Sequence, residues 1–231
     1  MKTVDRINFL RKYHNFKSYL EVGVSKGLTF NNLDFEYKVG VDPKFAFDIN
    51  EYISESVRLI PLTSDDYFTQ IKEKTLFDII FLDGLHTWDQ TLRDFNNAIN
   101  CSNKSSIIIM DDVFPNDVFS ALRVMSDCYK YRKANNADST DFSWHGDVYK
   151  TVLFIHDFYP QISYVTIDRG YGNPQTFFYK KPRLDFKPFF ESINVIEGLS
   201  YFDFLEVSHL LNLKTEKDAL NDISAYLSET I

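Results

Sequence analysis

The sequence predicts an α/β protein built on a doubly wound sheet of seven strands, with helices at its C-terminal end. Short apolar runs, each about as long as a buried parallel strand, alternate with helix-like segments through the first two-thirds of the 231 residues. Two β-rich runs follow and flank a turn-rich segment at residues 169–174. A chain of this length can bury one core, so we expect a single domain over residues 1–231, with its core at about 16–180 and a helical extension at about 185–231.

The predicted strands are these apolar and β-rich runs, and the segments between them supply the helices. In chain order these runs, eight candidates for the seven strands, cover residues 18–22, 37–41, 57–62, 77–82, 106–110, 151–156, 162–167 and 176–179. Residues 87–100 predict a helix, because apolar side chains recur on one helical face and Thr87 with Gln90 matches a capping box. The tail from Tyr201 onward predicts two helices, which pack on the core or form a contact between copies of the chain.

Composition excludes several classes of protein. The net charge is −8 and no block of Lys and Arg occurs, so electrostatic capture of nucleic acid is not expected. No run of about 18 apolar residues is present, and we therefore expect no membrane span. The only cysteines, Cys101 and Cys128, have neither the spacing of metal ligands nor that of a disulfide framework. Their scarcity is typical of a reducing compartment, and we predict a cytoplasmic protein.

A turn with two glycines follows the first predicted strand and precedes a helix-like stretch. Gly23 allows close approach of a ligand to the backbone, and Gly27 allows tight packing of the turn. The dinucleotide fingerprint would need further glycines where Ser25 and Leu28 stand, so binding of NAD is disfavoured. Glu21, at the end of the strand, suits a cationic ligand such as the sulfonium of S-adenosylmethionine, although an ordinary tight turn would also explain the glycines.

Acidic and hydroxyl side chains follow the next two predicted strands. Asp42 lies 19 positions after Gly23, where a carboxylate can accept hydrogen bonds from two ribose hydroxyls. Ser64 and Asp65 follow the third strand and are candidates for binding an adenine edge. Helix capping by Ser64 or Asp65 is the alternative interpretation, and the two roles can coexist.

Three aspartates follow the fourth and fifth strands, which we expect to be neighbours. Asp83, Asp111 and Asp112 would then lie together at one rim of the sheet, where their mutual repulsion favours a bound cation. Mg²⁺, which prefers oxygen ligands, is the natural candidate, and separate helix caps are the alternative. His86, in the loop after Asp83, is a candidate general base or a structural residue. The other histidines show no ligand-like grouping in the sequence, and these are His14, His145, His156 and His209.

The combination of these motifs resembles the class I S-adenosylmethionine-dependent methyltransferases, and among them the bacterial type 24 family. The resemblance rests on residues 19–24, 39–43, 81–86 and 109–112, in that order and spacing, and it extends over about residues 16–180. Residues 144–150, Trp-His-Gly-Asp-Val-Tyr-Lys, are close to a Gly-Asp-Val-Trp-Lys signature of one subgroup. The resemblance implies a Rossmann-like, seven-stranded fold.

The resemblance also implies roles for particular residues, taken from similar metal-dependent sugar methyltransferases. The methyl donor would bind to Glu21, Gly23, Gly27 and Asp42. Magnesium would bind to Asp83, Asp111 and Asp112, and His86 would be the base.

The expected activity is therefore metal-assisted O-methylation of a hydroxyl on a sugar, a glycan or another small molecule, by an enzyme that can form a homo-oligomer. A metal-dependent hydroxylase on the same fold and a non-catalytic, cofactor-binding relative are the alternatives.

Overall fold

The computed structural model describes residues 1–71, 75–135 and 141–230, and these form one twisted sheet with helices on both faces. Ile231, the last residue of the predicted C-terminal extension, lies outside the described residues. The strands are β1 Ser18–Val22, β2 Tyr37–Val41, β3 Val57–Ile60, β4 Phe77–Leu82, β5 Ser102–Met110, β6 Ser163–Ile167, β7 Thr176–Tyr179 and β8 Leu213–Lys214.

The helices lie between and after these strands. They are α1 Thr3–Tyr13, α2 Ser64–Gln70, α3 Trp88–Asn100, α4 Met125–Ala134, α5 Tyr149–Phe158, α6 Ile193–Gly198, α7 Tyr201–Val207 and α8 Glu216–Glu229. Single 3₁₀ turns occur at Phe30–Asn32, Ile49–Glu51, Arg169–Tyr171 and Ser208–Leu211.

The strand order is β3-β2-β1-β4-β5-β7-β6-β8, and the first five strands in this order are parallel. The α/β fold predicted from the sequence is confirmed, with eight strands in the described residues instead of seven. The register pairs Val22 with Val41 and Leu82, and Leu82 with Met110. The carboxyl ends of β1, β2, β4 and β5 are thus level, so the residues that follow them share one rim of the sheet.

Alternate strand residues face opposite cores, as the twofold period of a strand requires. On one face Leu20, Ile80 and Ile108 pack with α3 and α5. On the other face Ile79 and Ile107 pack with α1 and α8. Because both faces are covered, the parallel strands are apolar throughout and not alternating, which is why short apolar runs revealed them in the sequence.

One predicted strand is wrong: residues 151–156 lie inside α5. Thr151, Val152, Leu153 and Ile155 are all buried, so this helix is apolar on most sides and lacks the amphipathic period that identifies a helix. The other seven predicted strands are present in the structure, and the two-residue strand β8 is an eighth that was not predicted. The tail does form two α-helices from Tyr201 onward, with β8 between them.

Two smaller predictions also need correction. The helix-like stretch expected after Gly27 is only the 3₁₀ turn Phe30–Asn32. Helix α3 begins as predicted, but the Thr87 side chain makes no capping hydrogen bond. Asp147 instead accepts a hydrogen bond from the Trp88 backbone N–H at 2.8 Å. Asp147 is distant in sequence, so this cap is invisible to local pattern analysis.

Two findings concern the environment of the chain. Within the described residues, no helix has the length and apolar character that a membrane crossing needs. Cys101 and Cys128 are buried, and the described part of the chain contains no disulfide between them.

Candidate functional site

The loops after β1 and β4 are pressed together at the rim of the sheet. Gly23 has φ of +88°, and a Cβ atom on it would lie 1.8 Å from the carbonyl oxygen of Asp83. No other residue type can take this position without moving the β4 loop, because such an approach is far inside van der Waals contact. This contact brings the glycine turn beside the first of the three aspartates.

A cavity of about 630 Å³ opens above this contact. Four of the predicted cofactor residues line it, namely Gly23, Asp42, Ser64 and Asp65, together with Asp83 and His86. Its volume lies in the range of small-molecule sites. These residues therefore surround one cavity, in agreement with the expectation from the sequence that they lie close together.

Asp42 fixes the conformation of the glycine turn from the end of β2. Its Oδ2 accepts a hydrogen bond from the Ser25 backbone N–H at 2.8 Å, and its Oδ1 accepts one from the Lys44 N–H at 2.7 Å. Ser25 has φ of +48°, an unfavourable conformation for a serine that this hydrogen bond helps to hold. Each carboxylate oxygen keeps a lone pair for a ligand in the cavity.

Glu21 and Gly27 are placed differently from the other predicted cofactor residues, since neither lines the cavity. Glu21 is 2% exposed and faces the opposite core, where it accepts a hydrogen bond from the Tyr19 hydroxyl at 2.6 Å. Burial raises the pKa of Glu21 well above its usual value. Gly27 has φ of +71°, and a Cβ atom there would meet the Asn31 side chain at 2.4 Å, so it shapes the turn from behind.

Ser64 and Asp65 begin α2, but the cap of this helix is Thr63. The Thr63 hydroxyl accepts a hydrogen bond from the Asp66 N–H at 3.1 Å. The alternative in which Ser64 or Asp65 caps the helix is therefore wrong. The Gln90 amide donates to both side chains, to Ser64 Oγ at 3.2 Å and to Asp65 Oδ1 at 3.1 Å, and so ties them to α3.

Asp83, His86 and Asp112 form a compact cluster at one end of the cavity. Ligand atoms of the three side chains all lie within 4.8 Å of one another, which is the spacing of a metal-binding group. His86 Nε2 lies 3.5 Å from Asp83 Oδ1 and 3.1 Å from Asp112 Oδ2. Asp112 has φ of +57°, a left-handed conformation that aspartate adopts more readily than most residues.

Asp111 is the member of the predicted metal set that lies outside this compact cluster. Its Oδ1 accepts hydrogen bonds from the Asp112 N–H at 3.0 Å and from the Asn173 side chain at 2.5 Å. Asp111 therefore braces the backbone of Asp112 and anchors the turn after β6.

The cluster has strongly perturbed acidities. Burial raises the pKa of Asp83 and of Asp112 to about 6 each, and burial with the Asp112 charge raises that of Asp111 to about 7. Burial alone would lower the pKa of His86, but its hydrogen bond to Asp83 and the charges of Asp112 and Asp83 raise it to about 9. Such a group of buried carboxylates around one imidazole is typical of a functional site.

Residues 144–147 form the wall that orients His86. The Trp144 ring stacks on the imidazole with centroids 4.9 Å apart, and the Trp144 carbonyl accepts a hydrogen bond from His86 Nδ1 at 2.7 Å. This hydrogen bond requires a proton on Nδ1, and with a pKa of about 9 the imidazole also carries a proton on Nε2, which faces the carboxylates. Gly146 has φ of +59°, and a Cβ atom there would lie 1.7 Å from the His86 carbonyl oxygen.

His145 is the site residue that the sequence reasoning missed. It is 3% exposed, and its Nε2 lies 3.6 Å from Asp112 Oδ1. Burial, with the charge of His86, lowers its pKa to about 4, so it is neutral at ordinary pH. The sequence signal for it was its place in the Trp-His-Gly-Asp-Val motif.

Comparisons with known proteins agree with this geometry. A family model described as a methyltransferase domain matches residues 20–113, the segment from β1 to just past Asp112. This part of the chain therefore forms a methyltransferase domain, and it contains every predicted site residue. The chain has no sequence match among curated proteins.

Solved structures extend the comparison to most of the chain. An O-methyltransferase from Bacillus cereus, solved in complex with SAH, has 16% identity and a TM-score of 0.53, with 78% of this chain and 82% of that one covered. TomG from Streptomyces achromogenes, an O-methyltransferase involved in tomaymycin synthesis and solved with SAM, has 12% identity and a TM-score of 0.51, with 78% and 81% covered. The chain has the α/β fold of these methyltransferases.

Proposed function

We propose that the methyltransferase domain of this chain transfers a methyl group from S-adenosylmethionine to a hydroxyl oxygen, assisted by a divalent cation. The observation that carries the proposal is the compact cluster of Asp83, His86 and Asp112 at the end of the cavity that Asp42 and Gly23 line. A donor in that cavity and a cation at that cluster would be neighbours, as methyl transfer to an activated hydroxyl requires.

The lining of the cavity fits the methyl donor. Asp42 has lone pairs free for the ribose hydroxyls, and Ser64 with Asp65, which line the same cavity, would bind the adenine edge. Gly23 leaves the cavity floor without a side chain. Glu21 and Gly27 would act indirectly, Glu21 as a buried side chain that packs behind the end of β1 and Gly27 by shaping the turn.

The donor set of the cluster fits a divalent cation. Two carboxylates are hard ligands of the kind that Mg²⁺ takes, and the imidazole nitrogen adds a ligand that Mn²⁺ or Zn²⁺ accepts. When bound, such a cation would lower the pKa of an acceptor hydroxyl and fix its position. Asp111 would support the site through its hydrogen bond to the Asp112 backbone.

His86 has two candidate roles that use the same atom. Its Nε2 faces both carboxylates, so it can either ligate the cation or accept the proton of the hydroxyl, but not both at once. If it is the base, His86→Ala should lower turnover by about 10²–10⁴-fold, abolish the ascending limb of the pH profile and leave cation affinity unchanged. If it is a ligand, the same variant should lower cation affinity, and excess cation should restore part of the activity.

The acceptor that we propose is the hydroxyl of a sugar, a glycan or another small molecule, and the domain that we propose spans residues 1–231. We also propose the cytoplasm as the compartment, because the described residues contain no disulfide.

The test combines binding and turnover. S-adenosylmethionine binding is measured by calorimetry, and transfer of labelled methyl groups to a panel of hydroxyl compounds is measured with EDTA or with added Mg²⁺ or Mn²⁺. We expect donor binding without metal and transfer only with metal. Asp112→Asn should abolish transfer, whereas the control Asp127→Asn, on the first turn of α4, should not alter it.

Each part of the proposal can fail separately. Full transfer in EDTA would reject the cation and leave a methyltransferase. Absence of donor binding would reject methyl transfer itself and favour the hydroxylase. Donor binding without transfer to any acceptor would favour a non-catalytic, cofactor-binding protein.

A further inference from the structure

A second cavity also borders the carboxylate cluster, and it shares no described lining residue with the donor cavity. Its volume is about 480 Å³, and its wall includes Asp112, Trp144 and His145. Asp112 belongs to the compact cluster, and Trp144 stacks on His86. A molecule in this second cavity would therefore approach the cluster at Asp112, from an opening that the donor does not occupy.

The wall of this cavity is built for a polar occupant. Asn116, Ser143 and Asn173 contribute amide and hydroxyl groups to it. His145 also lines it, and the buried His145 Nδ1 has no hydrogen-bond partner among the described residues. Such an orphan nitrogen is costly unless a polar group can approach it.

Arg169 gives this polar cavity a positive charge. It is the one Lys or Arg among the lining residues that the structure describes. Its guanidinium lies 4.7 Å from the centroid of the Phe114 ring, which holds it in place. In the described part of the chain Arg169 forms no ion pair, whereas the nearby Arg123 and Arg132 each bind two aspartates.

The turn that carries Arg169 is held by a buried arginine. Arg6 is 1% exposed and donates hydrogen bonds to the carbonyl oxygens of Tyr171 and Asn173 and to the Gln175 side chain. On the inner side of the same turn, Asn173 donates to Asp111. The backbone position of Arg169 relative to the cluster is thus fixed by the fold, and the exposed side chain extends from this anchored turn.

We infer that this cavity binds an acceptor that carries an oxyanion, either a carboxylate or a phosphate, and that Arg169 recognises that group. The inference rests on the proposed function, because it takes the second cavity to be the acceptor site. A guanidinium without a protein carboxylate can bind such a group through two parallel hydrogen bonds. Asp112, the one acidic residue among the described lining residues, repels an anion beside it, so the charged group is favoured at Arg169 and the hydroxyl is directed to Asp112.

The test compares matched probes in binding and does not depend on turnover. 4-Hydroxybenzoate is paired with phenol, and glucose 6-phosphate with glucose, in the presence of S-adenosylhomocysteine and Mg²⁺. Dissociation constants are measured from backbone amide NMR shifts of Gly170 and Gly172, which lie on the turn. The variant is Arg169→Gln, and the control is Arg11→Gln, because Arg11 also stacks on a ring, that of Phe35 at 4.3 Å, but lies on α1.

We expect at least one anionic probe to bind about tenfold or more tightly than its neutral partner. Arg169→Gln should remove this preference, and Arg11→Gln should retain it. A preference within the 4-hydroxybenzoate and phenol pair indicates recognition of a carboxylate, and a preference within the glucose 6-phosphate and glucose pair indicates recognition of a phosphate. The inference is wrong if neither anionic probe is preferred, if the preference survives in Arg169→Gln, or if Arg11→Gln loses it equally. An Arg169-dependent preference in a protein that transfers no methyl group would contradict the proposed function and leave the anion site standing.

Discussion

At the scale of single residues, the site depends on glycines at which two backbone segments lie in close contact. Gly146 combines a left-handed φ of +59° with a carbonyl oxygen of His86 1.7 Å from any Cβ atom. We predict that Gly146→Ala lowers the free energy of unfolding by about 2–5 kcal/mol, from backbone strain together with overpacking. The loop that carries His86 should also shift, which would weaken cation binding.

Chemical denaturation with urea measures this change, and the chain supplies a matched control. A Cβ atom on Gly198, at the end of α6, meets nothing within 4 Å. Gly198→Ala should therefore change stability by less than about 1 kcal/mol. Equal effects of the two substitutions would mean that the close contact at Gly146 has no energetic consequence.

Asp42 is the residue on which the donor site depends most directly. We predict that Asp42→Ala weakens binding of S-adenosylhomocysteine by about tenfold or more, since it removes hydrogen bonds to the ribose and also frees the Ser25 amide. Calorimetric titration measures the change. Asp48→Ala, which removes only a 3₁₀ cap on an exposed loop, is the control. Unchanged affinity in a folded Asp42→Ala protein would exclude Asp42 from the site.

Single residues also mark the limit of sequence reasoning. Asp42, Asp83 and Asp112 could be placed at one rim because each follows a buried strand, and parallel strands end level. The side-chain direction of Glu21 could not be predicted, because β1 is buried on both faces and its sequence does not show which face each residue takes. His145 was missed because its contact with Asp112 joins segments 33 positions apart.

At the scale of elements, length and apolar character predicted the parallel strands and α3 but not α5. A helix buried on most sides has no polar stripe, so its sequence resembles that of a buried strand. The cap of α3 by Asp147 and the turn anchored by Arg6 were also beyond prediction, since both depend on tertiary contacts across 59 or more positions.

The Arg6 contact links three elements, and we predict that breaking it has effects on both stability and the acceptor cavity. Arg6 joins α1 to Glu216 of α8 at 2.8 Å and to the turn at 171–173. Arg6→Met should cost about 3 kcal/mol, because it leaves buried acceptors without a partner while Glu216 keeps the amino group of Met1. Urea denaturation measures this cost.

The same variant should loosen the turn of Arg169 without reaching the donor cavity. We therefore expect weaker binding of acceptors and unchanged affinity for S-adenosylhomocysteine. Lys17→Met, which removes an exposed ion pair with Glu36, should cost no more than about 1 kcal/mol. A loss of donor affinity equal to that of acceptor affinity would show that Arg6 supports the fold as a whole and not the turn.

At the scale of the whole molecule, the net charge of −8 and the buried carboxylates both favour binding of protons by the folded protein. In the folded protein without metal, the pKa of Asp111 is raised to about 7 from 3.8, and that of His86 to about 9 from 6.5. For each group, the folded state binds more protons than the unfolded state at pH values between the ordinary pKa and the raised pKa. The stability of the fold therefore falls as the pH rises through that range. His145, with its pKa lowered to about 4, acts in the opposite sense only below about pH 6.5.

A divalent cation should reverse this trend, because it binds the deprotonated carboxylates and competes with the protons. We predict that metal-free protein loses stability between about pH 6.5 and 8.5, and that the stabilisation by saturating Mg²⁺ or Mn²⁺ grows over the same range. Urea unfolding at both pH values, with EDTA or with metal, measures both effects. In Asp112→Asn, which lacks one ligand and one titrating group, both effects should shrink. If the metal stabilises wild type equally at both pH values, then Asp83, His86 and Asp112 are not its ligands, because binding to these groups must displace protons.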